Sequence, residues 1–305
     1  MTAKGKNSVL APLALALAGC FWGTGFFFGK IALEEMSVME NVTLRFLVAS
    51  VLLLPVLIRK WKTPSGAHVS WIVVAAITGV PLQFVLQFEG LARTTVSHAS
   101  LLVGTLPVLL ALSAAIFLGE RLHGIEWFAL LVSALGAVLI AMSSTKSAGQ
   151  SGGPTLVGDA LVMGSLCLAL VMILCTKRYI PLYGSLFLTA LMLTIGTIVL
   201  LAWSEVVHPL SWHYSTRGWV AVIAQGVLAT AGAYGLWNWA LEHTSASRAG
   251  VYLNLEPVVG SILGIVSLHE HLGVAAILGG LLIIVSALYF SRKPESAGPT
   301  QQIAQ

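Results

Sequence analysis

Long apolar stretches separated by short polar segments cover almost the whole chain. Each stretch is close to the roughly 20 residues that an α-helix needs to cross a bilayer. The pattern predicts ten helices, at about 10–32, 39–58, 69–90, 96–118, 124–143, 156–176, 180–203, 217–241, 246–268 and 272–291. The predicted fold class is therefore an all-α integral membrane protein with ten transmembrane helices.

The second half of the chain repeats the first half. Residues 81–141 match residues 231–291 without a gap, at an offset of 150. The identical pairs include Thr94 and Thr244, Ser97 and Ser247, Pro107 and Pro257, and Glu120 and Glu270. Each copy contains five predicted helices, and because five is odd the second copy enters the membrane from the opposite side. Two inverted five-helix repeats are typical of secondary transporters, which bind substrate near the midplane between the repeats.

The repeat also divides the chain into segments. We expect residues 1–143 to form the first five-helix repeat and residues 156–291 to form the second. Residues 144–155 are polar and rich in Gly and Ser, which predicts a flexible linker. The last segment, 292–305, is predicted to be a disordered tail.

Composition excludes several classes of protein. The chain is 57% hydrophobic and only 9% charged, which leaves too few charges to cover a soluble protein of this length. The basic residues are scattered at helix ends, so no nucleic-acid-binding patch is predicted. The three cysteines fall inside predicted helices as packing residues, and their spacing predicts neither disulfides nor a metal site. No cofactor is predicted.

The basic residues are distributed unevenly between the two sides of the membrane. Of the 16 Lys and Arg residues, eleven lie on or near the side of both termini, four lie on the other side, and Arg45 lies within helix 2. Basic loops stay in the cytoplasm. The bias therefore predicts a multi-pass protein of the inner (plasma) membrane with both termini in the cytoplasm.

Glu256 is the first candidate for a functional residue. It lies near the middle of predicted helix 9, before Pro257 and close to Asn254. A carboxylate at that depth faces a cavity or a partner, so Glu256 and Asn254 either bind substrate or protons or stabilise a kink. Pro107 occupies the matching place in copy one, and we expect both prolines to act in gating.

Aromatic and amide side chains are the next candidates for substrate binding. Helix 8 places Tyr234 and Asn238 on one face with Trp237 beside them, as a cavity wall or, for Trp237, an interfacial belt. Trp22 and Phe26 in helix 1 either line the cavity or pack, and close helix contacts are expected at Gly19 and Gly23. The remaining polar candidates, which contact substrate or bond to one another, are Gln83, Gln87 and His98.

Three charged positions favour structural roles. Arg45 is expected to pair with Glu34, Glu35 or Glu89, and Lys30 is expected to extend toward the membrane surface. Glu270 lies between two histidines, but adjacent residues on a helix point in different directions and the spacing is not that of a metal site. A helix-end role repeated at Glu120 is predicted for it instead.

Three stretches together resemble the EamA-type permeases of the drug/metabolite transporter superfamily, and the likeness covers nearly the whole chain. They are residues 21–46, 91–122 and 234–272. The resemblance implies two inverted five-helix repeats, termini inside, a central cavity and export of amino acids or other metabolites; some relatives carry nucleotide sugars or phosphorylated sugars. The chain departs from the family pattern in copy two, where Ala169 stands in place of Trp22 and no Arg matches Arg45.

These observations predict a secondary transporter that moves a small metabolite, such as an amino acid, outward across the cytoplasmic membrane by alternating access. The expected partners are that metabolite, the lipid bilayer and, through Glu256, protons; the chain acts as a monomer or a homodimer. An integral-membrane enzyme acting on a lipid-linked substrate is the alternative, but it would need clustered acids, histidines or metal ligands at one face. A sensor or scaffold is a further alternative, although no segment resembles a signalling domain.

Overall fold

The computed structural model describes residues 3–106, 108–109, 112–113, 116, 124–147, 154–207, 209–241 and 252–291. The helices in these ranges are α1 (Ala3–Ala32), α2 (Val38–Arg59), α3 (Gly66–Ala92), α4 (from Val96–Val103, with helical residues up to 116), α5 (Gly124–Ser147), α6 (Leu156–Tyr183), α7 (Ser185–Val207), α8 (216–241), α9 (Leu255–Leu268) and α10 (Val274–Ser291). No strand occurs in the described ranges. The predicted tail and half of the predicted linker lie outside them; residues 144–147 of the predicted linker instead continue α5 as helix.

The predicted all-α membrane fold is confirmed. Six of the described helices, α1, α2, α3, α6, α7 and α8, are long and apolar enough to cross a bilayer, and shorter apolar stretches lie in α5, α9 and α10. One predicted boundary is wrong: α6 continues to Tyr183 rather than ending near 176, and α7 begins at Ser185. The break is a single residue, Gly184, whose φ of +84° favours glycine because it has no Cβ.

Polar residues at the helix starts explain where several spans begin. Ser37 and Glu40 form a reciprocal cap at α2, in which the Ser37 hydroxyl accepts from the Glu40 amide and the Glu40 carboxylate accepts from the Ser37 amide. Thr95, Thr155 and Ser215 accept a bond from the amide three residues later at α4, α6 and α8. Each cap supplies a partner for an amide that has none within the helix.

The middle of α3 and the middle of α8 each contain a π-helical segment. The segments are Thr78–Leu82 and Gln225–Gly232, and residues 228–232 match residues 78–82 at the offset of 150. A π turn leaves local backbone groups for other partners, and such turns are frequent at functional sites. The Thr230 hydroxyl bonds to one of these groups, because it donates to the Gln225 carbonyl at 3.2 Å.

The main helix pairs join one repeat to the other. α1 packs along α8, and its counterpart α6 packs along α3. The pairs α2 with α7, α4 with α9, and α5 with α10 also cross between the repeats. The centre of the molecule is therefore an interface between two related halves.

Small residues allow the helices to approach closely at this interface. A methyl group on Gly23 of α1 would lie 2.7 Å from Cβ of Val259 in α9, and one on Gly19 would overlap the Tyr252 carbonyl. The close contacts expected at Gly19 and Gly23 are therefore present. In a membrane such contacts supply the van der Waals attraction that holds helices together.

The α1–α2 loop is joined to the start of α8. Glu35 accepts hydrogen bonds from the Ser215 amide at 2.8 Å and the Ser215 hydroxyl at 2.5 Å, which lower the pKa of this exposed carboxyl. Glu34 forms an exposed ion pair with Arg217 at 2.5 Å. Two of the acids proposed to pair with Arg45 are thus held by other residues.

Candidate functional site

A cavity of about 380 Å³ lies between the repeats. Residues from α1–α4 and α6–α9 line it, so both halves contribute to its wall. Its volume is within the range of small-molecule sites, and its wall is mainly apolar with a few polar groups, as is usual for such sites. The predicted residues on the wall are Trp22, Phe26, Gln83, Gln87, Tyr234, Trp237, Asn238 and Glu256.

Aromatic side chains form one corner of the cavity. The ring of Trp22 lies edge to face with Tyr234, with centroids 5.6 Å apart, and is tilted against Trp237 at 5.3 Å. α8 brings the last two residues together because they are three positions apart on one helix. All three rings are half-buried, so each presents part of its surface to the cavity.

Polar side chains lie at separate points on the same wall. Gln83 and Gln87 are one turn apart in the last part of α3, and both are buried. Asn238 is buried on α8, and its amide donates to the hydroxyl of Thr189 in α7, another lining residue. Asn238 therefore both lines the cavity and joins two helices.

Glu256 lies in the first turn of α9, after a break in the helical pattern at Asn254. Its side chain is half-buried on the cavity wall, and it has no hydrogen bond to another described residue. Asn254 itself is buried at the break and does not line the cavity. The structure thus separates the two polar residues that the sequence placed together.

Arg45 belongs to the site, although a structural role was predicted for it. It lines the cavity and is 3% exposed. The expected pairing with Glu34, Glu35 or Glu89 is wrong, because Glu34 and Glu35 contact the start of α8 and Glu89 pairs with Arg93.

The guanidinium of Arg45 instead contacts the π segment of α8. Its Nε donates to the Thr230 hydroxyl at 2.6 Å, and one terminal nitrogen donates to the Ala229 carbonyl at 3.3 Å. It also lies over the ring of Phe84, 4.7 Å from the centroid. The sequence signal that points to this position is a charge inside a predicted span, because such charges usually face the interior of a helix bundle and often have a function.

His98 lies apart from the cavity. It is 2% exposed, and its Nδ1 is 3.3 Å from a carboxylate oxygen of Asp159 in α6. The other oxygen of Asp159 accepts a bond from the Thr94 hydroxyl at 2.6 Å. The structure therefore places His98 in a buried network that joins the α3–α4 turn to the start of α6.

The helix break at Asn254 has a counterpart in copy one. Helix α4 is interrupted at Gly104 and Thr105, which match Asn254 and Leu255 at the offset of 150. A methyl group on Gly104 would lie 3.4 Å from Cγ of Pro257, so the two interrupted helices meet at this point. Pro107 lies outside the described residues.

A charged cluster closes the face at which α4 begins. Glu270 accepts bonds from the amides of Val96 and Ser97 at 2.7 and 2.8 Å, and from the Ser97 hydroxyl at 2.7 Å. His269, at φ +53°, ends α9 in a left-handed turn that precedes Glu270. These contacts confirm the helix-end role predicted for Glu270.

Lys30 contacts the other side of the same turn. Its Nζ donates to the carbonyls of Leu91 and Thr94, at 2.9 and 2.7 Å, where α3 ends. These carbonyls lie at the negative end of the α3 helix dipole and give the cation a partner in the turn that follows α3. The cation thus stabilises the end of α3 while Glu270 stabilises the start of α4.

The cavity extends away from this closed face. Its wall includes Thr176, Ile180 and Pro181 near the end of α6, whereas Thr155 at the start of α6 contacts the α3–α4 turn. No group of three His, Cys, Asp or Glu residues suited to a metal ion occurs in the described part of the chain. The cavity is therefore lined by aromatic rings, amides and two charged side chains, and its wall reaches the last turns of α6.

Comparison with known proteins matches both halves of the chain to transporters. The EamA-like transporter family matches residues 9–142 and 156–292. An uncharacterized transporter of Archaeoglobus fulgidus is 30% identical over 292 residues, which cover 92% of this chain and 97% of that protein. A probable terminal-alkyne amino-acid exporter of Streptantibioticus cattleyicolor is 27% identical over 291 residues, covering 93% of this chain and 94% of that protein.

The fold is also similar to that of a solved crystal structure. The TM-score is 0.65 at 17% identity, over 94% of this chain and 99% of the other. Both repeats thus match one family in sequence, and the cavity lies between them where that architecture places its binding site. The chain belongs to the EamA-like transporter family.

Proposed function

We propose that this protein is a secondary transporter that moves a small metabolite, an amino acid or a similar compound, out of the cell by alternating access. The observation that carries this proposal is the cavity between the two repeats, whose wall combines aromatic rings with a few polar groups. In inverted-repeat transporters, such a site becomes accessible from each side in turn as one repeat moves against the other.

The two ends of the cavity support alternating access. One end is closed by Glu270 and Lys30, which hold the α3–α4 turn. The lining extends toward the opposite end, along the last turns of α6. With both termini in the cytoplasm, as the basic residues favour, the closed end faces the outside and the cavity extends toward the cytoplasm.

The direction and the substrate class have support from one relative. The protein from Streptantibioticus cattleyicolor is named a probable amino-acid exporter. A cavity that extends toward the cytoplasm is suited to collecting a substrate for export. Glu256 is the carboxylate on the described wall, so coupling to protons would run through its side chain.

Reconstitution tests the proposal directly. The purified protein would be placed in liposomes and supplied with a panel of labelled amino acids and other small metabolites, with protein-free liposomes as the control. We expect flux of at least one compound, and faster exchange when the same compound is present on both sides. A folded protein that moves none of the panel would contradict the proposal. Turnover of a lipid-linked substrate in detergent would favour an enzyme, and a tightly bound protein partner without flux would favour a scaffold.

A further inference from the structure

Two opposite charges share the wall of the cavity without a direct salt bridge between them. Among the described residues that line it, Arg45 and Glu256 are the charged side chains. They come from different repeats, Arg45 from α2 and Glu256 from α9. No salt bridge joins them in the described ranges. Buried charges inside a membrane are usually paired, so each of these two lacks its expected partner.

The position of Arg45 is held by neutral groups. Thr230 and Ala229 accept its hydrogen bonds, and the rings of Phe46, Phe84 and Phe88 lie within 5.4 Å of the guanidinium carbon. These contacts restrain the side chain, and none of them brings a carboxylate within salt-bridge distance of it. A guanidinium has five N–H donors in a planar arrangement that suits a carboxylate, and the described contacts use two nitrogens.

Glu256 presents the opposite charge. It is half-buried on the wall at the start of α9, with no described hydrogen-bond donor. An ammonium group has three donors and would satisfy it. A substrate carrying only an anion would leave Glu256 unpaired, and one carrying only a cation would leave Arg45 unpaired. A substrate carrying both groups satisfies both residues.

We propose that the cavity binds a zwitterion, with its carboxylate on Arg45, its ammonium on Glu256 and its apolar part against Trp22 and Trp237. The inference rests on the proposed function, because it concerns the same cavity. Arg45 is then the residue that selects a carboxylate, which explains why it has no counterpart in copy two: a single substrate needs one such contact.

A series of three related probes tests this pairing. Leucine carries both charges, isopentylamine lacks the carboxylate, and isocaproate lacks the ammonium. Binding to the purified full-length protein in lipid nanodiscs would be measured by titration calorimetry. We expect leucine to bind roughly ten- to hundred-fold more tightly than either analogue, the loss typical of a missing charged hydrogen bond.

Variants test which residue binds each charged group of the substrate. Arg45→Gln should weaken leucine binding by a similar factor while changing isopentylamine binding little, and Glu256→Gln should weaken leucine binding but spare isocaproate. Arg217→Gln, which removes an exposed cation paired with Glu34, is the matched control and should bind all three probes as the unmodified protein does. Arg45→Lys keeps the charge if Arg45→Gln does not fold, and it should retain part of the preference for leucine.

Several results would overturn the inference. They are equal binding of leucine and isopentylamine to the unmodified protein, unchanged leucine binding in a folded Arg45 variant, and no binding of leucine at all. Flux of any compound in the liposome panel would leave the proposed function standing in each case. Conversely, leucine binding without flux of any compound would contradict transport and leave the zwitterion site in place.

Discussion

Glu270, just after α9, accepts hydrogen bonds from both the amide and the hydroxyl of Ser97, at 2.8 and 2.7 Å, at the start of α4. A carboxylate at a helix N-terminus is stabilised by the unpaired amides and by the helix dipole. The contact joins one repeat to the other at the start of α4. We expect it to act as a gate, which must open if substrate leaves at that face.

Glu270→Gln should weaken this gate. The variant loses charge-assisted hydrogen bonds worth about 1.5–3 kcal/mol each, so the closed state should become less populated. A cysteine at Val103, which lines the cavity, would report the change after Cys20, Cys167 and Cys175 are replaced by Ser. We expect faster labelling by a membrane-impermeant reagent applied from the Glu270 face.

Glu89→Gln is the control for the Glu270 variant. Glu89 forms an exposed ion pair with Arg93 one turn away, which is typically worth about 0.3–0.5 kcal/mol. Labelling at the same rate in both variants would show that Glu270 is not a gate. The repeat also predicts that Glu120 and Ser247, which lie outside the described residues, form the same contact at the other face. Glu120→Gln should then increase labelling from that face.

The repeat made the architecture predictable, whereas the contacts of Arg45 were harder to predict. The offset of 150 and the length of each apolar stretch suffice to predict ten helices in two inverted repeats. The aromatic corner was predictable because Tyr234 and Trp237 share one helix, three positions apart. The partners of Arg45 were not predictable, for two reasons. They lie in a π turn of α8, which has no clear sequence signature. The acids expected to pair with Arg45 bond to other residues instead.

Two further predicted residues lie off the cavity wall, each for a physical reason. His98 was expected to contact substrate or to bond to other polar residues, and it lies beside Asp159, a buried residue of the other repeat. Asn254 was expected on the wall beside Glu256, but it lies at the helix break and is buried in the protein interior. Both depend on the direction of a side chain at an irregular position, which helical periodicity does not give.

Pro257 should affect the rate of transport more than substrate binding. Its ring packs near Gly104, where the interrupted helices α4 and α9 meet. Proline removes one backbone hydrogen bond and bends a helix, and such points allow pivoting. We expect Pro257→Ala and Pro107→Ala to fold, to unfold at a higher temperature and to exchange substrate several-fold more slowly, with similar equilibrium binding.

Pro55→Ala is a suitable control for the proline variants. Pro55 is also inside a helix, α2, but it is exposed on the outer surface of the protein. Its replacement should raise thermal stability without slowing exchange. Normal turnover in both Pro107→Ala and Pro257→Ala would indicate that the matched prolines act only in packing.

Trp22 and Trp237 should contribute to substrate affinity. Each presents part of its ring to the cavity, and an aromatic contact is worth about 0.5–1.5 kcal/mol beyond the area it buries. Changing either one to Ala should raise the apparent substrate constant several-fold with little loss of protein yield. Trp239→Ala is the control, because Trp239 packs against the same cluster around Ala11 and Leu15 as Trp237 but does not line the cavity. Equal losses of yield and activity would indicate packing.

The topology of the repeats gives a prediction that requires no substrate. Five helices separate the N-terminus from the segment between the copies, and ten separate it from the C-terminal segment. A reporter fused after Gln150 should therefore lie outside the cell, and one fused after Lys293 should lie in the cytoplasm. Activity of a periplasmic alkaline phosphatase and fluorescence of a cytoplasmic protein would check each position. The same side for both fusions would contradict the inverted repeat.

Glu256 should determine how transport depends on pH. It is the carboxylate on the described wall, and each protonation event there changes the net charge of the cavity by one unit. If protons move with the substrate, flux of the unmodified protein should change between about pH 5 and pH 8, where a buried carboxyl can titrate. Glu256→Gln cannot titrate, so its flux should be nearly independent of pH, although membrane insertion should be normal.

The control for pH dependence is Glu34→Gln, which removes an exposed carboxylate that pairs with Arg217 and does not line the cavity. Its pH profile should match that of the unmodified protein. Exchange of labelled substrate between equal pools separates the two roles of Glu256, because exchange needs no net proton movement. If Glu256 only binds the ammonium group, Glu256→Gln should reduce exchange and net flux by the same factor at every pH. If it also carries the proton, net flux driven by a pH gradient should fall much further than exchange.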